Sequence, residues 1–355
     1  MKYKKSFTET LLLWNAFENT RQMPWKGEKN PYKIWVSEII LQQTRVSQGI
    51  DYYNRFIRHF PNIKRLATAP EDKIYKLWEG LGYYSRCKNL IETAKFIHKN
   101  FDGKFPEKYE DILSLKGIGS YTASAIASFA FNQPYAVLDG NVFRVLSRFF
   151  GKEIPINTTE GKKFYRDLSH LLLDKKKPAD YNQAIMDFGA VICKPLLPLC
   201  AECPFKDECV AFLYNKVSVL PVNTKIVAQK ERFFNYIIVE YNRNFYLQKR
   251  VEKDIWQNLY EFLLIETEFS INEADLFKHE KFLFYFSKKK FEIVNISKKF
   301  SQKLTHQIIR GQFFHVKVSR PLKNHGNYIM VTKEEIKLLP FPKLIASYFT
   351  DKMYL

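Results

Sequence analysis

Four cysteines, Cys193, Cys200, Cys203 and Cys209, fall within 17 residues in a C-x6-C-x2-C-x5-C spacing. Any fold of this chain must bring that short stretch into a loop with its thiols close together. Disulfides belong to oxidising compartments. The N-terminus (Met1 to Ser6, then Leu11-Leu12-Leu13) has neither the apolar stretch nor the small-residue cleavage site of a secretion signal. A cytosolic chain with a thiolate-bound metal group is therefore the expectation. Structural zinc usually takes two separated C-x2-C pairs, and here there is one tight pair. A [4Fe–4S] cluster needs one cysteine per iron corner, which a single compact loop can supply. Both readings stand on spacing alone. Lys194 and Lys206 lie in the same loop and suit a phosphate backbone. The fifth cysteine, Cys87, reads as a plain, partly buried thiol on a helix spanning 85–99.

The 355 residues suffice for two domains with their own cores. No apolar run approaches the ~18 residues of a membrane span, so no membrane partner is expected. The formal charge of +19 invites a nucleic-acid partner. Yet Lys outnumbers Arg by 42 to 14, and a Lys-rich solvated surface would look the same. Residues 1–215 read as helical, with starts such as Asn30-Pro31, where Asn caps and Pro occupies the first turn. Residues 216–230, broken by Leu220-Pro221, read as a linker. From 231 to 355 short β-rich runs appear at 236–241, 244–248, 261–265, 282–286 and 313–318. They suggest an antiparallel sheet with one or two helices. The charge divides as +11 before residue 226 and +8 after it, so neither half is singled out.

Between two helical patterns lies Leu115-Lys116-Gly117-Ile118-Gly119-Ser120-Tyr121. A G-x-G turn entering a helix presents backbone N–H groups to an anion, with the positive helix end behind them. Gly117, Gly119 and Ser120 thus form a candidate site for a DNA phosphate, although most such pairs are simple turns. Two carboxylates stand out. Asp139, in Leu138-Asp139-Gly140-Asn141, suits the N-cap of a helix over 142–149. Glu38 lies inside Ile34-Trp35-Val36-Ser37-Glu38-Ile39-Ile40-Leu41. It occupies either the one solvated stripe of that helix, which spacing favours, or a desolvated place where its pKa would rise to suit general acid work.

Taken in order, the Glu38 helix, Leu41-Gln42-Gln43-Thr44, Gly80-Leu81-Gly82-Tyr83-Tyr84-Ser85-Arg86, the hairpin, Leu138-Asp139-Gly140-Asn141 and the four cysteines resemble the helix-hairpin-helix DNA glycosylase superfamily. Within it, the chain looks like the adenine DNA glycosylases of the MutY type. The resemblance implies a multi-domain protein with an all-α glycosylase region over 1–215 carrying a [4Fe–4S] cluster loop. Its six-helix core would span about 26–135, and its iron–sulfur subdomain 1–25 and 136–215. Residues 231–355, through Trp256-Gln257-Asn258-Leu259-Tyr260-Glu261-Phe262, resemble the α+β Nudix-like recognition domain of the same enzymes. The acidic metal-binding box of Nudix hydrolases is missing, so recognition without pyrophosphatase activity is implied.

The implied substrate is double-stranded DNA with adenine opposite 8-oxoguanine or guanine, bound by a monomer in the cytoplasm at the nucleoid. Glu38 matches the acid that protonates adenine N7 in the flipped nucleotide, and Asp139 the carboxylate that stabilises an oxocarbenium-like sugar. Tyr121 and Asn141 match pocket residues beside Asp139, and Gln183 a contact to adenine. Gln43 and Tyr83 match the wedge that enters the duplex. Relatives that cut the strand carry a Schiff-base Lys where Tyr121 stands, and a phenol cannot supply that amine. Little or no lyase activity is implied. Leu304-Thr305-His306 stands where family members often have Phe-Ser-His, so Thr305 and His306 are candidate readers of 8-oxoguanine, and Leu304 departs from the pattern. Two alternatives stay open: an endonuclease III-like glycosylase/lyase for oxidised pyrimidines, which Tyr121 and the extra domain disfavour, and a non-catalytic iron–sulfur DNA-binding module, which the two carboxylates disfavour.

Overall fold

The computed structural model describes residues 2–224, 229–286, 290–322 and 328–351. The helices in chain order are α1 (Lys2–Phe17), α2 (Pro31–Leu41), α3 (Val46–His59), α4 (Ile63–Ala67), α5 (Glu71–Trp78), α6 (Tyr84–Asn100), α7 (Tyr109–Ser114), α8 (Ser120–Phe131), α9 (Gly140–Phe149), α10 (Thr159–Leu172), α11 (Pro178–Val191) and α12 (Val210–Leu213). Strands β1 (Lys230–Tyr241), β2 (Asn244–Lys249), β3 (Tyr260–Glu261) and β4 (Leu263–Thr267) follow, then α13 (Glu273–Lys278) and α14 (Glu280–Phe286). The chain continues through β5 (Phe291–Ile296), β6 (Phe300–Lys303), β7 (Gln307–Val318), β8 (Tyr328–Thr332), α15 (Lys333–Ile336) and α16 (Lys343–Asp351). Among the described residues no helix is long and apolar enough to cross a membrane.

Two compact units divide the chain: Met1–Thr68 with Asn89–Lys225, and Ala69–Lys88 with Ile226–Leu355. This differs from the boundary read from sequence. Residues 69–88 join the C-terminal unit because their polar groups find partners there. Asp72 accepts from Lys249 Nζ at 2.6 Å and from the Tyr260 hydroxyl at 3.0 Å, and the Tyr75 hydroxyl accepts from Asn258 at 2.8 Å. The expected linker is only partly one. Leu220 is buried, its carbonyl accepts from Arg148, and the Val222 carbonyl accepts from Ile156 N. A stretch without helical periodicity can still pack through its backbone, which no pattern of side chains reveals.

In the first unit, Phe7, Leu11 and Trp14 of α1 pack with Val142, Val145, Leu146 and Phe149 of α9 and with Ile185 and Phe188 of α11. The N-cap of α2 is as expected: Asn30 Oδ1 accepts from Tyr32 N and Lys33 N, with Pro31 in the first turn. Fully burying one of these large side chains stabilises the fold by about 1.5–3 kcal/mol.

In the second unit the sheet runs β3-β2-β1-β7-β5, with β4 also on β1, β6 on β7 and β8 on β2. The sheet is mixed, not antiparallel throughout, because β1 and β7 pair in parallel from Lys230↔Gln307 to Glu240↔Lys317. Alternation marks which residues face the core and carries no information on strand direction. A second correction falls at 282–286, expected as a strand and found in α14. Phe282 and Phe286, four apart, are buried, while Leu283 and Phe284 between them are exposed. An unbroken apolar run reads the same at either period, and packing selects the helix.

Candidate active site

Glu38 sits in mid-α2 and is only 6% exposed. The solvated-stripe reading is thus overturned: seven of its neighbours on α2 (Tyr32, Ile34, Trp35, Val36, Ser37, Ile39, Ile40) are buried as well. The helix packs against both α8 and α3. A cavity of about 560 Å³ is bordered by Glu38, Gln43, Tyr121, Asp139, Asn141 and Gln183. Its size falls in the usual range for small-molecule sites, roughly 300–1,000 Å³. Six residues singled out from sequence therefore converge on one space.

Burial raises the Glu38 carboxyl to about 7, and the Asp139 charge adds to the rise. A hydrogen bond with the Tyr121 hydroxyl opposes it. Among the described residues no cation is hydrogen-bonded to Glu38 to hold it ionised, so a substantial share of the carboxyl keeps its proton near neutral pH. Asp139 takes the capping role expected from sequence. It caps α9, Oδ1 accepting from Val142 N at 2.8 Å, while Oδ2 accepts from Asn141 Nδ2 at 2.8 Å. Desolvation raises its pKa too, but those donors and Arg144 pull the other way. The two carboxyls thus differ in company: Glu38 has a phenol beside it, and Asp139 has donors and Arg144 that support a charge.

Two buried residues that sequence reasoning missed hold Asn141. Arg144 donates from Nη2 to Asn141 Oδ1 at 2.8 Å and to the Gly189 carbonyl at 2.8 Å, and from Nε to the Cys193 carbonyl at 2.7 Å. Gly189 lies against Asn141 so closely that an added Cβ would stand 2.7 Å from the Asn141 Cβ. A glycine inside a helical pattern was the available signal, since it usually has a packing reason. A third missed residue is Asp187, fully buried, which accepts from Arg21 at 2.6 Å, Asn19 at 2.9 Å and Lys26 at 3.1 Å. Arg21 and Lys26 both border the cavity. Gln183 borders it as well, and its Nε2 has no protein partner among the described residues.

The hairpin forms between α7 and α8. Gly117 has φ +79°, and a Cβ there would stand 2.6 Å from Asn89 Cβ, so both conformation and space require glycine. Gly119 is the N-cap of α8 and Ser120 its first residue. Gln43 is exposed at φ +58°, one residue beyond the C-cap of α2.

Four cysteines line one small cavity with Arg148 and Lys206. All are free thiols. Burial pushes up Cys200, Cys203 (to about 12) and Cys209, and their neighbouring thiols push the same way. Such a set stays protonated until a cationic group replaces the protons, which is what a thiolate-bound metal cluster does. Among the described residues no three His, Cys, Asp or Glu side chains close around a single ion. The donor set fits a larger group. Arg148 braces the loop through the Lys194 carbonyl at 2.7 Å and the Pro195 carbonyl at 3.1 Å. Cys87 lies outside this set and is fully buried, not partly.

In the second unit, Thr305 and His306 are exposed on the turn joining β6 to β7. The Tyr83 hydroxyl, at φ +48°, is 3.0 Å from Thr305 Oγ1, and the Arg86 guanidinium lies over the Tyr83 ring at 5.4 Å. Tyr83 was expected as a wedge and Thr305 as a base reader; the structure makes them partners.

Residues 36–165 match the HhH-GPD superfamily base excision DNA repair protein, and residues 235–351 match the NUDIX domain. The chain is 37% identical over 304 residues to the adenine DNA glycosylase of Buchnera aphidicola subsp. Baizongia pistaciae, covering 84% of this chain and 83% of that one. Among solved structures it is similar to a thermostable thymine-DNA glycosylase (TM-score 0.56, 29% identity, 60% of this chain and 98% of that one). Its fold also matches endonuclease III in a non-covalent DNA complex (TM-score 0.51, 17% identity, 60% of this chain and 97% of that one).

Proposed function

This chain belongs to the adenine DNA glycosylases of the HhH-GPD base excision repair superfamily, and from that premise we propose that it hydrolyses the N-glycosidic bond of adenine opposite 8-oxoguanine or guanine in double-stranded DNA. The observation that carries this reading is a buried Glu38, held near neutrality without a cation, on the same cavity as Asp139 and Tyr121. Adenine is a poor leaving group until protonated. Glu38 gives its proton to ring N7, and the C1′–N9 bond breaks with its electron pair going to the base. Positive charge then grows on the sugar, where Asp139, oriented by Val142 N–H and Asn141, stabilises it electrostatically. Water completes the hydrolysis at C1′. The Gln183 amide, whose Nε2 has no partner among the described residues, would hydrogen-bond the flipped base. Tyr121 offers no amine, so the strand is left intact.

The hairpin at Gly117, Gly119 and Ser120 would hold a backbone phosphate. Gln43 and Tyr83 would each enter the duplex, and Thr305 with His306 would read the oxidised partner base. The second unit would act by recognition alone. Cys193, Cys200, Cys203 and Cys209 would hold a [4Fe–4S] cluster, which supplies a rigid, positively disposed loop for the backbone.

Single-turnover assays on 8-oxoguanine:adenine, guanine:adenine and thymine-glycol duplexes test the substrate. Release of free adenine from the first two, with strand cleavage only after alkali, is the expected result. Cleavage of the thymine-glycol duplex alone would overturn it.

A further inference from the structure

Arg86, in the first turn of α6, is only 8% exposed, and burying a guanidinium costs free energy. Desolvation pulls its pKa down to about 10, so it still carries its charge at neutral pH. What it gains is aromatic company. Its Cζ lies over the Trp78 ring at 5.5 Å and over the Tyr83 ring at 5.4 Å, both within the range of a cation–π attraction. Nη2 donates to the Gly82 carbonyl at 3.3 Å, which also accepts from Trp78 Nε1 at 3.3 Å. The two rings differ in exposure: Trp78 is fully buried, whereas Tyr83 is 47% exposed. One buried cation thus joins a core ring to a ring that meets solvent.

Tyr83 needs such a support. Its φ of +48° lies in the left-handed region, which a bulky residue keeps only where its surroundings impose it. It ends a segment, 79–83, whose start is fastened within the same unit. Glu79 accepts from Phe341 N at 2.9 Å, and Gly80 N donates to the Tyr84 hydroxyl at 3.3 Å. At the other end the Tyr83 hydroxyl meets Thr305 Oγ1, and its ring lies against the Arg86 guanidinium. We propose that Arg86 is a positioning residue for the wedge: its guanidinium holds the Tyr83 ring in one preformed orientation, so that little ordering is left to the moment of insertion. Arg86 touches no base in this arrangement and acts through Tyr83. The inference rests on the reading of Tyr83 as a residue that enters the duplex. Lysine could replace the charge but not the flat face of the guanidinium, and methionine keeps much of the length without the charge.

The test is a double-mutant cycle on a duplex with 2-aminopurine placed beside the 8-oxoguanine of the mispair, a probe that brightens when stacking is broken. The rate of brightening on mixing reads wedge entry, and adenine release is followed on the same mixture. Arg86→Met should slow the brightening by roughly tenfold. Arg86→Lys should slow it less, since a point charge keeps part of the attraction. Tyr83→Ala should slow it further, and adding either Arg86 substitution to Tyr83→Ala should change nothing more. Affinity for a duplex without the mispair should stay at the parent value in the Arg86 variants. If thermal melting shows that Arg86→Met does not fold, Arg86→Lys carries the same cycle. Brightening at the parent rate in the variant that carries the cycle overturns the positioning role, as does a slowing that persists in full without the Tyr83 ring. If Tyr83→Ala itself brightens at the parent rate, the wedge reading fails and this inference falls with it. Adenine release by the parent protein tests the functional reading separately.

Discussion

Glu38 in the helical unit and Glu261 in the sheet unit are almost equally buried, 6% and 3% exposed. Burial raises the pKa of both. They differ in company. Glu261 receives Arg250 Nη1 at 2.7 Å and Gln248 Nε2 at 3.0 Å, and Arg250 is itself bound to Asp254 at 2.9 Å. Arg232 extends the network to Asp254 and Glu266. Glu38 has a phenol and a like-charged neighbour instead. A buried carboxyl with a cation is part of the framework. A buried carboxyl without one is a poised acid, and the fold must tolerate the cost of ionising it.

The sharpest way to break this comparison is to remove the poised proton. Glu38→Gln should lower single-turnover adenine release by about 10²–10⁴-fold, and a loss below tenfold would end the assignment of the acid. On the other side, Arg250→Met should cost about 3–5 kcal/mol in denaturant unfolding, because it strands Glu261 without its cation. If Arg250→Met proves neutral, burial and not partnership governs both sites.

Stability should separate the two glutamates as well. The folded state binds the Glu38 proton up to about pH 7, whereas an unfolded Glu releases it near pH 4.3. Parent stability therefore declines as pH rises through that window and levels off above it. Glu38→Gln should be more stable than the parent by about 1–3 kcal/mol at pH 8 and no different at pH 4, which thermal melts at the two pH values measure. A smaller effect is expected where the site is held from behind. Gly189→Ala pushes on Asn141, and through it on Asp139, so adenine release should fall about tenfold with little change in duplex affinity. Equal activity would show that Asn141 can shift without moving Asp139.

Much of the site was legible because chemistry constrains residue type at close spacing. Four cysteines in 17 residues must meet, Asp139 before an amphipathic helix must cap, and Gly117 in a tight turn must stay glycine. The rest depended on what distant segments do. Glu38 looked solvated because spacing describes one helix, while α3 and α8 both pack against that helix and Glu38 ends buried. Arg144 looked like one more basic residue, and its four acceptors come from Gly140, Asn141, Gly189 and Cys193. Residues 69–88 looked helical, and their partners lie more than 170 positions away.

By itself, then, the sequence determined which groups are present and which short-range geometries they must adopt, since caps, turns and thiol loops are settled within a few residues. Only the tertiary structure decided which carboxyl loses water without gaining a cation, and in which direction β7 lies beside β1. Desolvation and partnership are properties of packing between segments far apart in the chain. That is why Glu38 and Glu261, alike in type and burial, end in different surroundings.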